Sequence, residues 1–366
     1  LVQCWVFLQT LNLPRSMVEM LSPMAYAWHV REGGLSLSLD QAATRFYLLK
    51  GCTYTTGFIL TLALVNSHNR LKIMLQVLVF SGTFQAAYGA FMVLSGLELG
   101  FFVEKYVGQG VATGTFVNRN HLAGYLVMCL AAGIGLLMSQ LTRDSSSSWK
   151  ERLRRWLRLL LSSKIRLRIY LAVMVIALVL TRARMGNIAF FASLALAGGL
   201  ALFTGRRFSP RVVVFLGSLF VVDMLILGKW FGLDKLLERL QATNPGTESR
   251  VWSNEYTLDY IARFPLTGSG GGTFYGIFPN FQSAELSGFH QHAHNDYLEF
   301  AAELGIPAAM LLMVFAALAL WQAYRLQRER QNPLYKGVGF AVTMSICWAA
   351  IHSTTDFNLQ VPANAL

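Results

Sequence analysis

The stretch FHQHAHNDYLEF, residues 289–300, sets His290, His292 and His294 on alternate positions and follows them with Asn295, Asp296 and Glu299. The chain has only seven histidines. Imidazole exchanges protons near neutral pH and also binds metals, so the cluster reads as general-base or metal chemistry. After His294, Tyr297, Leu298, Ala301 and Leu304 recur at three- and four-residue spacing, which predicts a short helix. Asn295 suits its N-cap, Asp296 and Glu299 its first turn, Gly305 its end, and Pro307 the first turn of the next helix. His294 is then expected at a helix N-terminus. There the positive end of the dipole disfavours imidazolium and keeps the neutral form that a general base needs. His292 and Asn295 are expected to support it.

Two other readings of the cluster stand beside this one. A loop histidine bonded to neighbouring backbone is the plain alternative. Metal binding is the other: in an extended segment His290, His292 and His294 point to one side, and three imidazoles can hold zinc. Catalytic zinc ligands usually come from separated elements, HExxH does not occur, and the helix is expected to hold Glu299 away. No metal site and no cofactor are expected.

Arginines supply the complementary chemistry. Arg182 and Arg184 in VLTRARMGN (179–187) stand between two apolar stretches, and Arg119 and His121 in FVNRNHLAGY (116–125) begin another. Arg250 precedes a helical pattern in TESRVWSNEYTLDYIARF (247–264). Arginines at span ends often only snorkel, but guanidinium forks also match phosphate oxygens. The glycine-rich turn Gly268–Gly272 lacks the Lys-Ser/Thr of a P-loop and reads as a flexible loop. One base with several arginines suits transfer from an anionic leaving group, most simply a lipid-linked phosphate or diphosphate.

The elements that position these residues are membrane helices. Hydrophobic residues make up 54% of the chain and charged residues 14%, with a mean hydropathy of +0.44. Apolar runs long enough to span a bilayer recur near 47–66, 71–96, 120–141, 167–181, 186–204, 211–231, 306–324 and 337–352. Alternation then puts the segments 67–72, 142–168, 205–211 and 325–336 on one side. They hold eighteen of the thirty-one Lys and Arg, the positive-inside pattern of cytoplasmic loops. The charge of +12 therefore orients the chain in its membrane, and no nucleic-acid partner is needed to explain it. Within 142–168, Trp149, Leu153, Trp156, Leu157 and Leu160 alternate with Arg152, Arg155 and Arg158, as in an amphipathic helix on anionic lipid.

The long connections 14–46, 97–119 and 232–305 fall on the other face, and 232–305 carries nine of the nineteen acids. The expected organisation is a helical bundle over 1–231 with the basic cytoplasmic loop 142–168. A large outer loop over 232–305 carries the catalytic residues, and C-terminal helices follow over 306–366. Cys4, Cys52, Cys129 and Cys347 are scattered and read as packing residues. Because the sequence opens on Leu1 and stops at Leu366 without a polar tail, it is expected to be part of a longer chain.

The ordered set TGTFVNRNHLAGYL, TRARMGN, SRVWSNEYTLDYIARFPLTGSG, HAHNDYLEFAAELGIP and HSTTDFNLQVPANAL resembles the O-antigen ligase / O-antigen polymerase superfamily of bacterial membrane glycosyltransferases. In its signature, His-Asn is followed by a glycine at the spacing of His294-Asn295 and Gly305. The resemblance implies an all-α, polytopic, GT-C type bundle in the bacterial inner membrane with a large periplasmic loop. It also implies metal-independent transfer of a glycan from an undecaprenyl-diphosphate-linked donor. The acceptor would be lipid A core, another lipid-linked glycan or, in protein-directed relatives, a pilin hydroxyl. By position in the motifs His294 would be the base, and Arg184 and Arg250 the diphosphate ligands, with Arg182 competing for the role of Arg184. A transporter or flippase of the lipid-linked glycan is the reading from a different class. It would need broken helices near midplane, and no central span has an interior proline.

Overall fold

The computed structural model describes residues 1–32, 35–100, 103–140, 163–204, 217, 249–283, 286, 288 and 290–366. Among the described residues five helices are long and apolar enough to cross a membrane: His68–Ser95, Arg119–Gln140, Arg184–Phe203, Ile306–Glu329 and Pro333–His352. Each lies on an expected span. Helices Gln41–Leu64 and Ser163–Leu180 also form on expected spans but are not among these five. Lys50 and five threonines dilute the first, and Lys164, Arg166 and Arg168 put three charges at the start of the second. Thr53, Thr55 and Thr61 each turn their hydroxyl back onto a carbonyl four residues earlier, which satisfies it within the helix. The expected span 211–231 and the amphipathic pattern of 149–160 lie outside the described residues. The only paired strands among the described residues are the two-residue Leu99–Gly100 and Val103–Glu104.

The outward surfaces of these helices fit lipid. Phe80 is 67% exposed, Phe203 94% and Phe315 61%, an apolar surface that water would not tolerate at this extent. The chain is an all-α polytopic membrane protein.

It divides into two compact units. One comprises Leu1–Ala63, Glu238–Ala317 and Ser353–Leu366; the other Leu64–Leu237 and Leu318–His352. The second unit is a helix bundle centred on Arg119–Gln140, most of whose residues are buried. Its glycines allow close packing. Gly135 and Gly337 face each other so closely that a Cβ on either would meet the other's carbonyl, as small-residue crossings in membranes require.

The first unit mixes its long helices with short ones. Val18, Ala25, Leu37, Tyr260, Phe264, Phe274 and Phe278 form its core, with the rings of Tyr260 and Phe281 stacked 4.7 Å apart. Helix Asp296–Leu304 forms as the pattern predicts, capped by Asn295, whose side chain accepts hydrogen bonds from the N–H groups of Tyr297 and Leu298. Its end is fixed: the Gly305 N–H bonds to Ala301 O, and a Cβ at Gly305 would strike the Leu266 carbonyl.

Candidate active site

Helix Asp296–Leu304 turns its acids inward. Asp296, Glu299 and Glu303 are each no more than 2% exposed. They sit at i, i+3 and i+7, one helical face. Of Tyr297, Leu298, Ala301 and Leu304, whose spacing predicted the helix, only Leu304 is fully buried. The acids take the interior because each finds a donor there. Asp296 Oδ2 accepts from Ser353 Oγ at 2.7 Å and from the Leu359 N–H at 3.2 Å. Glu299 Oε2 accepts from the Ala293 N–H at 2.8 Å, while its Oε1 lies 2.6 Å from His292 Nδ1. Glu303 Oε1 accepts from the Phe274 N–H at 2.9 Å. The Gly272 N–H also favours its charged form, and Oε2 has no partner in hydrogen-bond geometry. The helix thus does not hold Glu299 away from the histidines. It reaches back over the helix start to His292.

Burial dominates the electrostatics. It pushes Glu299 and Glu303 up to about 8 and Asp296 up to about 7. Burial also lowers His292. Both shifts in the His292–Glu299 pair, joined by the 2.6 Å contact, favour the uncharged forms.

His294 lies in the left-handed region, at φ 53°, immediately before the N-cap. That turn breaks the extended alternation on which a three-histidine metal site depended. His290 sits edge-on to Phe278, whereas His292 and His294 both contact Phe357. His292 stacks on that ring at 4.1 Å, and His294 meets it edge-on at 5.0 Å. Among the described residues, no group of three or more His, Cys, Asp or Glu side chains is arranged to hold a metal ion.

His294 Nδ1 is buried and lies 3.4 Å from Oδ1 of Asp356, a carboxylate only 1% exposed. The separation is long for a hydrogen bond, and among the described residues Nδ1 has no hydrogen-bond partner. The histidine side chain as a whole is 30% exposed. Asp356 and Phe357 reach the site because the Asp296 N–H bonds to Ser353 O and the Asp296 carboxylate holds Leu359. Neither residue was singled out from the sequence. The signal available was HSTTDFNLQ, read only as part of a family pattern.

A cavity of about 280 Å³ opens beside the acidic helix, lined by Tyr47, Lys50, His292, Glu299, Glu303 and Gln360 among others. Lys50 Nζ donates to the Gln360 backbone and side-chain oxygens at 3.2 and 3.4 Å. The turn Gly268–Gly272, read as a flexible loop, is instead tied down. Its N–H groups at Ser269, Gly270 and Gly271 bond to Ala302 O, Glu303 O and Gln9 Oε1, so they are not available to a phosphate.

The expected site residues divide between the two units. His292, His294 and Asn295 stand together in the first, and Arg250 is exposed at the start of helix Ser249–Arg263 in the same unit. Arg119, His121, Arg182 and Arg184 belong to the second. There Arg119 opens one helix and Arg184 another, and Gly186 packs against Ala123, so the two helix starts share an end of that unit. Arg182, at φ 50°, forms the turn, and Asn187 braces it through Leu178 O and Ala183 O. Arg119, Arg182 and Arg184 are all exposed.

The raised carboxyl values set a pH dependence of stability. A carboxyl with a folded value near 8 holds its proton more tightly folded than unfolded, so its contribution is complete below the ordinary 4.5 and is lost as pH rises through about 8. His292, lowered by burial, acts in the opposite sense but only below its ordinary 6.5. Between about pH 6.5 and 8.5 His292 no longer contributes and the carboxyls lose their stabilisation, so the melting temperature in detergent should fall. Glu303→Gln, uncharged throughout, should flatten that slope; a wild-type melting temperature that is constant or rises across the window would contradict the burial described.

Residues 169–313 match the model of a family described as O-antigen ligase. The matched segment includes Arg184, Arg250, the histidine cluster and helix Asp296–Leu304, and ends before Asp356. No curated protein matches the chain. That match supports the resemblance of the ordered motifs to the O-antigen ligase / O-antigen polymerase superfamily.

Proposed function

We propose that the protein transfers a glycan from an undecaprenyl-diphosphate-linked donor to an acceptor hydroxyl, on the periplasmic face of a bacterial inner membrane, in O-antigen ligation or polymerisation. The observation that carries this reading is the arrangement of His294, with Nδ1 3.4 Å from the buried Asp356 carboxylate and the side chain 30% exposed. An Nδ1–H directed to Asp356 leaves the lone pair on Nε2. Nε2 then takes the proton of the acceptor hydroxyl as its oxygen attacks the anomeric carbon. The bond from that carbon to the diphosphate oxygen breaks, and the lipid diphosphate leaves with the electron pair. Asp356 is a positioning residue: it fixes the ring and steadies the imidazolium that forms, and Phe357 packs the ring in place.

Arg184 and Arg250 are assigned to the diphosphate from their sequence motifs, with Arg182 as the neighbour that could share the role. Exposed guanidinium groups in such motifs suit a bidentate grip on phosphate oxygens. Charge on the leaving group is met by arginine in this scheme, and the reaction is proposed to need no metal.

Two outcomes follow. Purified protein in detergent, given lipid-linked donor and candidate acceptors, should transfer glycan equally with and without EDTA. His294→Ala should lose roughly 10²–10⁴-fold in rate with donor binding retained, whereas Arg184→Ala and Arg250→Ala should weaken donor binding as well. Undiminished transfer by His294→Ala would remove it as the base, and activity lost to EDTA and restored by zinc would install the metal reading. For orientation, Gly276 is exposed with open space at its Cβ position. In a cysteine-free background Gly276→Cys should react with an impermeant maleimide in intact spheroplasts, and Gln331→Cys, in the basic segment, should not. The reverse labelling would invert the proposed topology.

A further inference from the structure

The second unit holds a cavity of its own, of about 280 Å³, where helices His68–Ser95, Arg119–Gln140 and Ser163–Leu180 meet at one end. Nearer their middles these helices close up. A Cβ on Gly133 would meet the side chains of Leu171 and Val79, and one on Gly82 those of Cys129 and Met174. At the cavity the same helices leave a gap. Val79, Leu136 and Leu167, each at most 7% exposed, give it an apolar floor. Gln76, Arg166 and Tyr170 add polar groups to the lining; the first two are exposed and the third partly so.

Three features narrow the ligand. Phe80, 67% exposed and part of the lipid-facing surface, also lines the cavity, so a lipid reaches it from the bilayer without leaving its leaflet. The charge is of one sign. Arg166 is in the lining with no Asp or Glu among the described lining residues, it forms no ion pair among the described residues, and Arg168 stands exposed beside it. A zwitterionic lipid would bring its ammonium group towards these guanidinium groups with no carboxylate to receive it. A headgroup whose only charge is its phosphate meets no such opposition, and the guanidinium fork matches phosphate oxygens. The third feature is the polar rim above an apolar floor. The Gln76 amide and the Tyr170 hydroxyl suit glycerol and ester oxygens, while the floor takes the first carbons of an acyl chain.

We propose that this cavity is a site for an anionic phospholipid, with Arg166 on the phosphate and an acyl chain against Val79, Leu136 and Leu167. It lies at the end of the unit that carries the basic segments 67–72 and 142–168, which the proposed topology makes cytoplasmic. Basic pockets between spanning helices on that side commonly receive anionic headgroups. The bound lipid joins three helices where their own packing leaves off, so it stabilises the folded unit by mass action. The site is independent of the transferase reading and stands or falls apart from it.

The test uses the full chain, delipidated in detergent, followed by native mass spectrometry and by melting temperature. Phosphatidylglycerol and phosphatidylcholine with identical chains are compared, and inorganic phosphate is the soluble control. Phosphatidylglycerol should form a one-to-one complex and raise the melting temperature; the other two should do neither at the same concentration. Arg166→Gln should weaken phosphatidylglycerol binding by about tenfold, the loss of one charge-assisted contact. Arg168→Gln removes the same charge from outside the lining and should leave binding within about twofold of the wild type. Gln76→Glu, at an exposed position, sets a carboxylate against the phosphate and should also weaken binding, which decides the matter should Arg166→Gln fail to fold. Equal binding of the two lipids would overturn the site, leaving a groove for acyl chains alone. Equal weakening by Arg166→Gln and Arg168→Gln would also overturn it, in favour of a diffuse basic surface. Stabilisation by inorganic phosphate as strong as that by phosphatidylglycerol would make the occupant a soluble anion and exclude the lipid.

Discussion

Three carboxyl groups on one nine-residue helix have to be buried, and the way helix Asp296–Leu304 meets that cost shapes everything around it. An isolated buried carboxylate is too expensive to keep charged, so it must gain hydrogen bonds, gain a proton, or both. Asp296 gains Ser353 and Leu359, Glu299 gains Ala293 and His292, and Glu303 gains Phe274. All three also have raised proton affinity. The partners come from three stretches of chain, at Phe274, at His292 and Ala293, and at Ser353 and Leu359, so satisfying the acids gathers these stretches around one short helix.

From that constraint the geometry of the candidate site follows. The Asp296 contacts carry the segment 353–360 onto the helix start, and that segment delivers Asp356 to His294, Phe357 to both imidazoles, and Gln360 to the cavity. The Glu299 contact holds His292 in its stack on Phe357. The left-handed turn at His294 is a strained conformation for a residue with a side chain, and it persists here between the anchored Ala293 N–H and the Asn295 cap. Strain held by its surroundings is a common feature of functional sites.

Much of this was legible in sequence, and the misses have a common cause. Helix positions followed from apolar runs and caps, and described boundaries differ by a few residues; Ser163, for example, already lies in a helix expected to begin at 167. The N-cap at Asn295 and the stop at Gly305 are local chemistry and were readable. The acids at 296, 299 and 303 were also visible at helical spacing, but acids in a first turn ordinarily face solvent and complement the dipole. Only distant donors make the inward face preferable, and spacing along the chain does not reveal donors 57 or 63 residues away, as Ser353 and Leu359 are from Asp296. Asp356 and Gln360 were missed for the same reason. The glycine turn 268–272 was misjudged because its looseness in isolation is removed by Ala302, Glu303 and Gln9.

The account rests most heavily on His294 and Asp356 acting as one base, and a double-mutant cycle on single-turnover transfer tests that directly. Asp356→Asn should slow transfer and alter the pH–rate profile, yet cost almost nothing further when added to His294→Ala, because a positioning carboxylate has no role once the imidazole is gone. Losses that simply multiply, or an Asp356→Asn enzyme that turns over at the wild-type rate, would contradict it.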